Sequence, residues 1–351
     1  MKKYNVLWID DRCTTENAFI MNAELEGIII TPFETSKAGM EAFVKDLFHW
    51  DGIVLDAKCW IESSDETADT DAMHESIGKI TELKHKREVP YFIYTGHPDL
   101  QSDIQFEKSL RGHRFYVKGK DEEILIRDIK TEADGFLVTQ IRHEYADVFA
   151  SYSNHERLLR IFLAIRGGDT KNPIYFNEIR KIIEDEFEVF ASNYLFPKGC
   201  TEMNARRRFL GSIELKEFVP DYIQWNLFSV VNIAQEGSHR LTIDEAVNSG
   251  KAPYLLRSTA MELMSILLWA NDFLKSEPCR KLKAEIASGK YDTEGIVEQD
   301  EKMNFYCGNF LLPYKVAESM LGAKVRIVKF DENTNGNKDI YHYFAKKIEK
   351  I

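Results

Sequence analysis

No stretch of this 351-residue chain approaches the roughly 18 uninterrupted apolar residues that announce a membrane span; charges break its longest hydrophobic runs. Met1-Lys2-Lys3-Tyr4 runs into strand-like sequence rather than an apolar secretory segment, so a cytoplasmic protein with no membrane association is expected. The five cysteines (Cys13, Cys59, Cys200, Cys279, Cys307) are odd in number, widely spaced and free of any Cys-x-x-Cys pair. They fit reduced structural thiols, and neither a disulfide framework nor a zinc site is indicated. The nine histidines show no metal-binding spacing. A Walker motif and a Gly-x-Ser-x-Gly elbow are both missing, which argues against an ATPase and a serine hydrolase. There is no internal repeat and no low-complexity tract.

What is present suffices for two domains with buried cores, since 44% of the residues are apolar. The net charge of −11 is uneven: residues 1–134 hold 17 Lys and Arg against 27 Asp and Glu, a net of −10. That acidic half suits a divalent-cation pocket and makes a poor nucleic-acid surface.

Four short apolar runs in the acidic half end on polar residues. Val6-Leu7-Trp8-Ile9 leads into Asp10-Asp11, Ile53-Val54-Leu55 into Asp56, Tyr91-Phe92-Ile93-Tyr94 into Thr95, and Phe115-Tyr116-Val117 into Lys118. Short apolar runs alternating with helical patterns read as buried parallel strands, and ligands bind at the carboxyl ends of such strands. The helical patterns are Thr15 to Glu26, Ser36 to His49, a stripe of Met73, Ile77, Ile80 and Leu83, a helix of about ten residues before Phe115, and Asp121 to Asp134. With Ile28 to Thr31 as a further strand, the expected fold is therefore α/β, with a five-stranded parallel sheet covered on both faces. Three carboxylates brought to one edge repel and call for a cation, and an all-oxygen donor set suits Mg²⁺. A carboxylate there can act as a nucleophile toward phosphorus, with a hydroxyl and an ammonium holding the phosphoryl oxygens.

The order acid pair, single Asp, Thr, Lys on successive strands resembles the response-regulator receiver domain over residues 1–134. The resemblance implies a flavodoxin-like doubly wound sheet. It implies Asp56 as phosphoacceptor, Asp10, Asp11 and Asp56 with the backbone carbonyl of Lys58 as Mg²⁺ ligands, Thr95 and Lys118 as phosphoryl contacts, and Phe115 as the switch aromatic. A histidine kinase or phosphotransfer protein would be the donor. The sequence departs from the family at Gly119, where proline is usual, at Ala57-Lys58-Cys59-Trp60, and in the acidic loop Glu62 to Asp71. These departures motivate an alternative, a pseudo-receiver that acts as a protein-interaction module without phosphorylation.

Residues 135–351 are expected to form a mainly helical output domain. Phe136 to Phe149 continues the last receiver helix with Gly135 as the only break, a lever for passing a signal onward. Phe176, Ile179, Ile183, Phe187 and Phe190 make a helical stripe, as do Leu256, Leu263, Leu267, Ala270 and Leu274. Residues 135–320 read as a bundle, with Trp225 and Trp269 in its core. Alternation around Val325 and Ile327 and the β-formers Ile340 to Phe344, with Asn335-Gly336 between, predict a terminal β-hairpin. Arg206-Arg207-Arg208 reads as a solvated helical turn or a phosphate grip. A nucleic-acid effector rests on the basic hairpin alone, because no helix-turn-helix precedes it. A protein partner for this half is the main expectation, with a receiver homodimer as a further route.

Overall fold

The computed structural model describes residues 2–351 except 64–66, 98–99, 101–105, 107–109, 111–114, 240–244, 246–248, 251, 338–339 and 342. The chain divides into two compact units, Met1–Leu163 and Ala164–Ile351.

The first unit is built on β1 (Tyr4–Ile9), β2 (Ile28–Phe33), β3 (Gly52–Leu55), β4 (Tyr91–Thr95) and β5 (Phe115–Val117). All pairings are parallel and the order is β2-β1-β3-β4-β5, the flavodoxin-like doubly wound arrangement. The strands are near-continuous apolar runs because helices cover both faces. On one face α1 (Asn17–Leu25) and α4 (Glu122–Ala133) enclose Val6, Trp8, Phe19, Val54 and Tyr94. On the other, α2 (Ser36–Lys45) and α3 (Asp71–Leu83) enclose Leu7, Ile9, Phe43, Ile53, Met73 and Ile93. The helix expected just before β5 falls largely outside the described residues.

The lever expected beyond α4 is not a continuous helix. Gly135 ends one helix and Phe136 is extended (ψ 131°), so α5 (Leu137–Glu144) and α6 (Ala146–Ser151) turn back. Thr139 and Arg142 on α5 bond the buried Asp51 at the start of β3 at 2.9 and 3.0 Å, and Asp51 also accepts the Asn5 N–H at 2.9 Å. Tyr145 stacks on Phe162 of α7 (His155–Gly167) at 4.4 Å. A boundary at 134/135 would assign α5 and α6 to the second domain; these contacts are all with the first.

The second unit carries α8 (Ile174–Ser192), α9 (Met203–Leu210), α10 (Asp221–His239), α11 (Leu255–Leu274) and α12 (Glu277–Ala287). Its core includes Phe176, Ile183, Phe190, Ile223, Leu227, Leu263 and Leu267. The hairpin forms: β10 (Lys324–Glu332) pairs antiparallel with β11 (Tyr343–Lys350). It is larger than a hairpin, however, because β6 (Glu294–Ile296), β7 (Glu298–Gln299), β8 (Phe305–Cys307) and β9 (Phe310–Leu311) extend it to a six-stranded sheet ordered β6-β10-β11-β9-β8-β7. The bundle therefore stops at Ala287, not at residue 320. Trp225 is also corrected. It is 75% exposed, because the buried stripe of α10 runs through Ile223, Leu227, Val230, Val231 and Ala234, which turns Trp225 to the opposite side.

Candidate functional site

Parallel pairing decides where the polar strand ends go. Ile9 pairs with Leu55, Leu55 with Ile93, and Thr95 with Val117, so the residues that follow β1, β3 and β5 emerge at one edge beside Thr95. The Asp56 N–H donates to the Ile9 carbonyl at 2.8 Å, which fixes Asp56 beside Asp10. The Lys118 N–H donates to the Thr95 carbonyl at 3.0 Å, which seats the lysine next to the threonine.

Asp10, Asp11 and Asp56 each offer a carboxylate oxygen, and these oxygens lie within 4.8 Å of one another. Asp10 and Asp56 are buried, whereas Asp11 is half-buried at the mouth. Lys118 reaches across them, with Nζ 2.5 Å from Asp10 Oδ2 and 2.8 Å from Asp56 Oδ2. Asp10 Oδ1 accepts the Arg12 N–H at 2.8 Å, and the Lys58 N–H approaches Asp56 Oδ1 at 3.5 Å. Thr95 is fully buried, and its hydroxyl accepts the His97 N–H at 3.2 Å. Gly96 leaves room for the lysine stem, since a Cβ there would sit 3.3 Å from Lys118 Cδ.

The electrostatics are those of crowded acids. Burial pushes the Asp10 carboxyl up to about 6, Asp56 adds to the rise, and Lys118 opposes it. Asp11 rises from the same two causes, burial first. Burial works against the charge of Lys118, but Asp56 and Asp10 together outweigh it and hold the ammonium above its ordinary value. Cys59 is buried nearby, and burial followed by Asp56 pushes its thiol up to about 12, so it stays neutral. Buried charges persist only when paired or held by a cation, and three carboxylates with one ammonium leave room for a cation.

Phe115 is half-buried, packed against the core formed by α2 and α3 and edge-on to Phe106, with centroids 5.9 Å apart. Gly119 adopts φ +75°, which a proline at this position could not take. The insert after Asp56 is tied to its surroundings: the Ser36 N–H donates to the Trp60 carbonyl at 2.9 Å, and Cys59 bridges to Asp69.

Sequence reasoning missed the opposite edge of the sheet. There Arg87, 4% exposed, donates to the Trp50 carbonyl at 3.1 Å, close to the Asp51–Arg142 pair. Charged residues in loops and in the last turn of a helix read as solvated, and only their spatial meeting shows otherwise. The arginine triplet is dispersed in its roles: Arg206 pairs with Glu188 at 2.6 Å and Arg207 lies 4.9 Å over the Phe228 ring, leaving Arg208 to line a cavity.

No protein-family model matches the chain, and no curated protein sequence matches it. Among solved structures, the N-terminal two-fifths is similar to receiver domains. One is a response regulator receiver domain protein from Clostridium thermocellum, at 24% identity and TM-score 0.29, covering 38% of this chain and 95% of that one. Another is the signal receiver domain of a putative Luxo repressor protein from Vibrio parahaemolyticus, at 14% identity and TM-score 0.29, over 40% and 95%. A third is a CheY-like receiver domain protein from Methanospirillum hungatei, at 16% identity and TM-score 0.27, over 38% and 96%. The five-stranded order of this chain gives the first unit the flavodoxin-like doubly wound fold in its own right. No described helix is long and apolar enough to cross a membrane.

Proposed function

We propose that the first unit is a Mg²⁺-dependent phosphoacceptor of the two-component type, with Asp56 receiving a phosphoryl group from a histidine kinase or phosphotransfer protein and the second unit acting as its output. The observation that carries this reading is Lys118 spanning Asp10 and Asp56 inside a three-carboxylate cluster. The donor set fits the metal: Asp10, Asp11 and Asp56 supply oxygen only, and burial first and the Asp56 charge second raise the Asp10 and Asp11 carboxyls, a strain that a cation would relieve. Asp10, Asp11, Asp56 and the Lys58 carbonyl are the groups that would hold it. Bound there, Mg²⁺ would offset negative charge on the transferred phosphoryl oxygens.

In the transfer, an Asp56 carboxylate oxygen forms a bond to phosphorus as the phosphorus–nitrogen bond of a phosphohistidine breaks, and the released imidazole takes up a proton. Lys118 Nζ is already 2.8 Å from Asp56 and follows the new oxygens, while the Thr95 hydroxyl, on the adjacent strand end, donates to one of them. The product carries about −1.5 to −2 charge where a single carboxylate stood. Movement of Thr95 and Lys118 then biases β4 and β5, where Phe115 can repack. The second unit has no nucleophile signature, and Tyr222, Trp225 and Phe228 are each more than half exposed on α10, which supports a protein-binding output.

A second reading, the pseudo-receiver, draws on one observation: Lys118 already ion-pairs with both buried carboxylates, holding them together in part without a metal. Tryptophan fluorescence during Mg²⁺ titration separates the two, because Trp8 and Trp60 belong to β1 and to the insert after Asp56. A saturable response in the wild type that Asp11→Asn abolishes supports the phosphoacceptor; no response in the wild type favours the pseudo-receiver.

A further inference from the structure

The cavity beside β10 lies wholly within the second unit and is independent of the Asp56 site. It holds about 300 Å³, the lower end of ligand-pocket sizes. Phe209 of α9 and Tyr291 after α12 form one wall, in edge contact at 5.5 Å. Phe310, Phe330 and Tyr343 form the sheet wall, their centroids 5.0 to 5.1 Å apart. Phe330 is 38% exposed although it sits in a strand among aromatics.

The backbone on that wall is the second observation. β6 pairs with β10 only at Lys324, Val325 and Arg326, and the last rung is the Ile327 N–H donating to the Thr293 carbonyl at 2.8 Å. β10 continues to Glu332 with β11 on its other side. Among the described residues no strand and no backbone hydrogen bond meets the β6-side edge of β10 beyond Ile327. Val328 and Phe330 on this segment both line the cavity. An open strand edge supplies main-chain donors and acceptors, and an apolar hole beside it supplies a seat for one side chain.

We propose that a partner protein docks here as an extended segment, adding a strand to β10 in line with β6 and inserting one large apolar or aromatic side chain between the Phe209–Tyr291 wall and the Phe310–Phe330–Tyr343 wall. A strand is the partner that matches an edge. A small aromatic molecule would fill the hole and leave the edge unsatisfied. On the helical wall Arg208 and Glu202 are in no ion pair among the described residues, so charged side chains flanking the anchor find partners of either sign.

The test selects binders from a display library of random linear peptides against the intact protein. Selected peptides should share one large apolar or aromatic position. They should slow amide exchange at residues 328–332, and N-methylation of alternate peptide amides should weaken binding at least tenfold. Phe330→Ala should weaken it similarly while melting like the wild type; should Phe330→Ala fail to fold, Arg208→Ala and the N-methylated peptides carry the test. Selected peptides that leave residues 328–332 unprotected, or bind equally well when N-methylated, would overturn the proposal. So would protection of those amides by self-association of the chain, or a library that yields no enriched sequence.

Discussion

Replacing Arg142 by methionine should loosen the sheet of the first unit from the edge opposite the acid pocket. Asp51 is 1% exposed and accepts from the Asn5 N–H, the Thr139 hydroxyl and Arg142 Nη1, with the guanidinium 3.0 Å away and itself 10% exposed. An exposed ion pair contributes about 0–1 kcal/mol, but removing one partner of a buried pair costs about 3–5 kcal/mol because the other charge is stranded. The nearby Arg87 guanidinium and the two remaining hydrogen bonds soften the loss, so the lower end, about 3 kcal/mol, applies. Amide exchange in the intact protein reads this locally. The β3 amides should exchange roughly 150-fold faster in Arg142→Met. Adding Asp51→Asn removes the stranded charge and should recover part of the loss. β3 exchange within about fivefold of wild type, or strictly additive effects in the double variant, would refute the reasoning.

Other outcomes follow from single residues. Glu186 on α8 is buried and its carboxyl is pushed up to about 7 by burial, with Asp185 adding to it. The folded state thus holds a proton there that the unfolded chain releases near its ordinary value, so stability is full at pH 4 and falls as pH rises through 7. Glu186→Gln should remove that slope, and relative to wild type it should gain up to about 3 kcal/mol at pH 8, read as the difference in melting temperature between pH 5 and 8. Gly119→Pro should lower the melting temperature by the equivalent of more than 1 kcal/mol, because proline cannot take φ +75° and the Gly119 N–H bond to Glu122 is lost; a neutral result would mean the loop adopts another backbone. Trp225→Ser should change stability by no more than about 0.5 kcal/mol in denaturant titration, as its exposure requires; a large loss would place it in a core.

The first unit was legible because parallel strands buried on both faces are contiguous apolar runs, and four of them end on residues that meet at one edge: Asp10, Asp56, Thr95 and Lys118. The terminal hairpin was legible from the alternation at Val325 and Ile327. The strands β6 to β9 were not, since elements of two or three residues are too short to show a period. The fold-back after Gly135 was hidden because helical periodicity does not report a change of direction, and the Asp51–Arg142 pair that secures it spans 91 residues of sequence. Trp225 could have been placed correctly by following the Ile223, Leu227, Val230 and Ala234 spacing instead of counting it as apolar.

Phosphoryl transfer to Asp56 is tested most directly by intact-mass measurement after incubation with acetyl phosphate and Mg²⁺. We expect the wild type to gain a single phosphoryl group that hydroxylamine removes, with no gain in Asp56→Asn or when Mg²⁺ is chelated. An unmodified wild type under those conditions, or equal labelling of Asp56→Asn, would contradict the assignment of Asp56 as the phosphoacceptor.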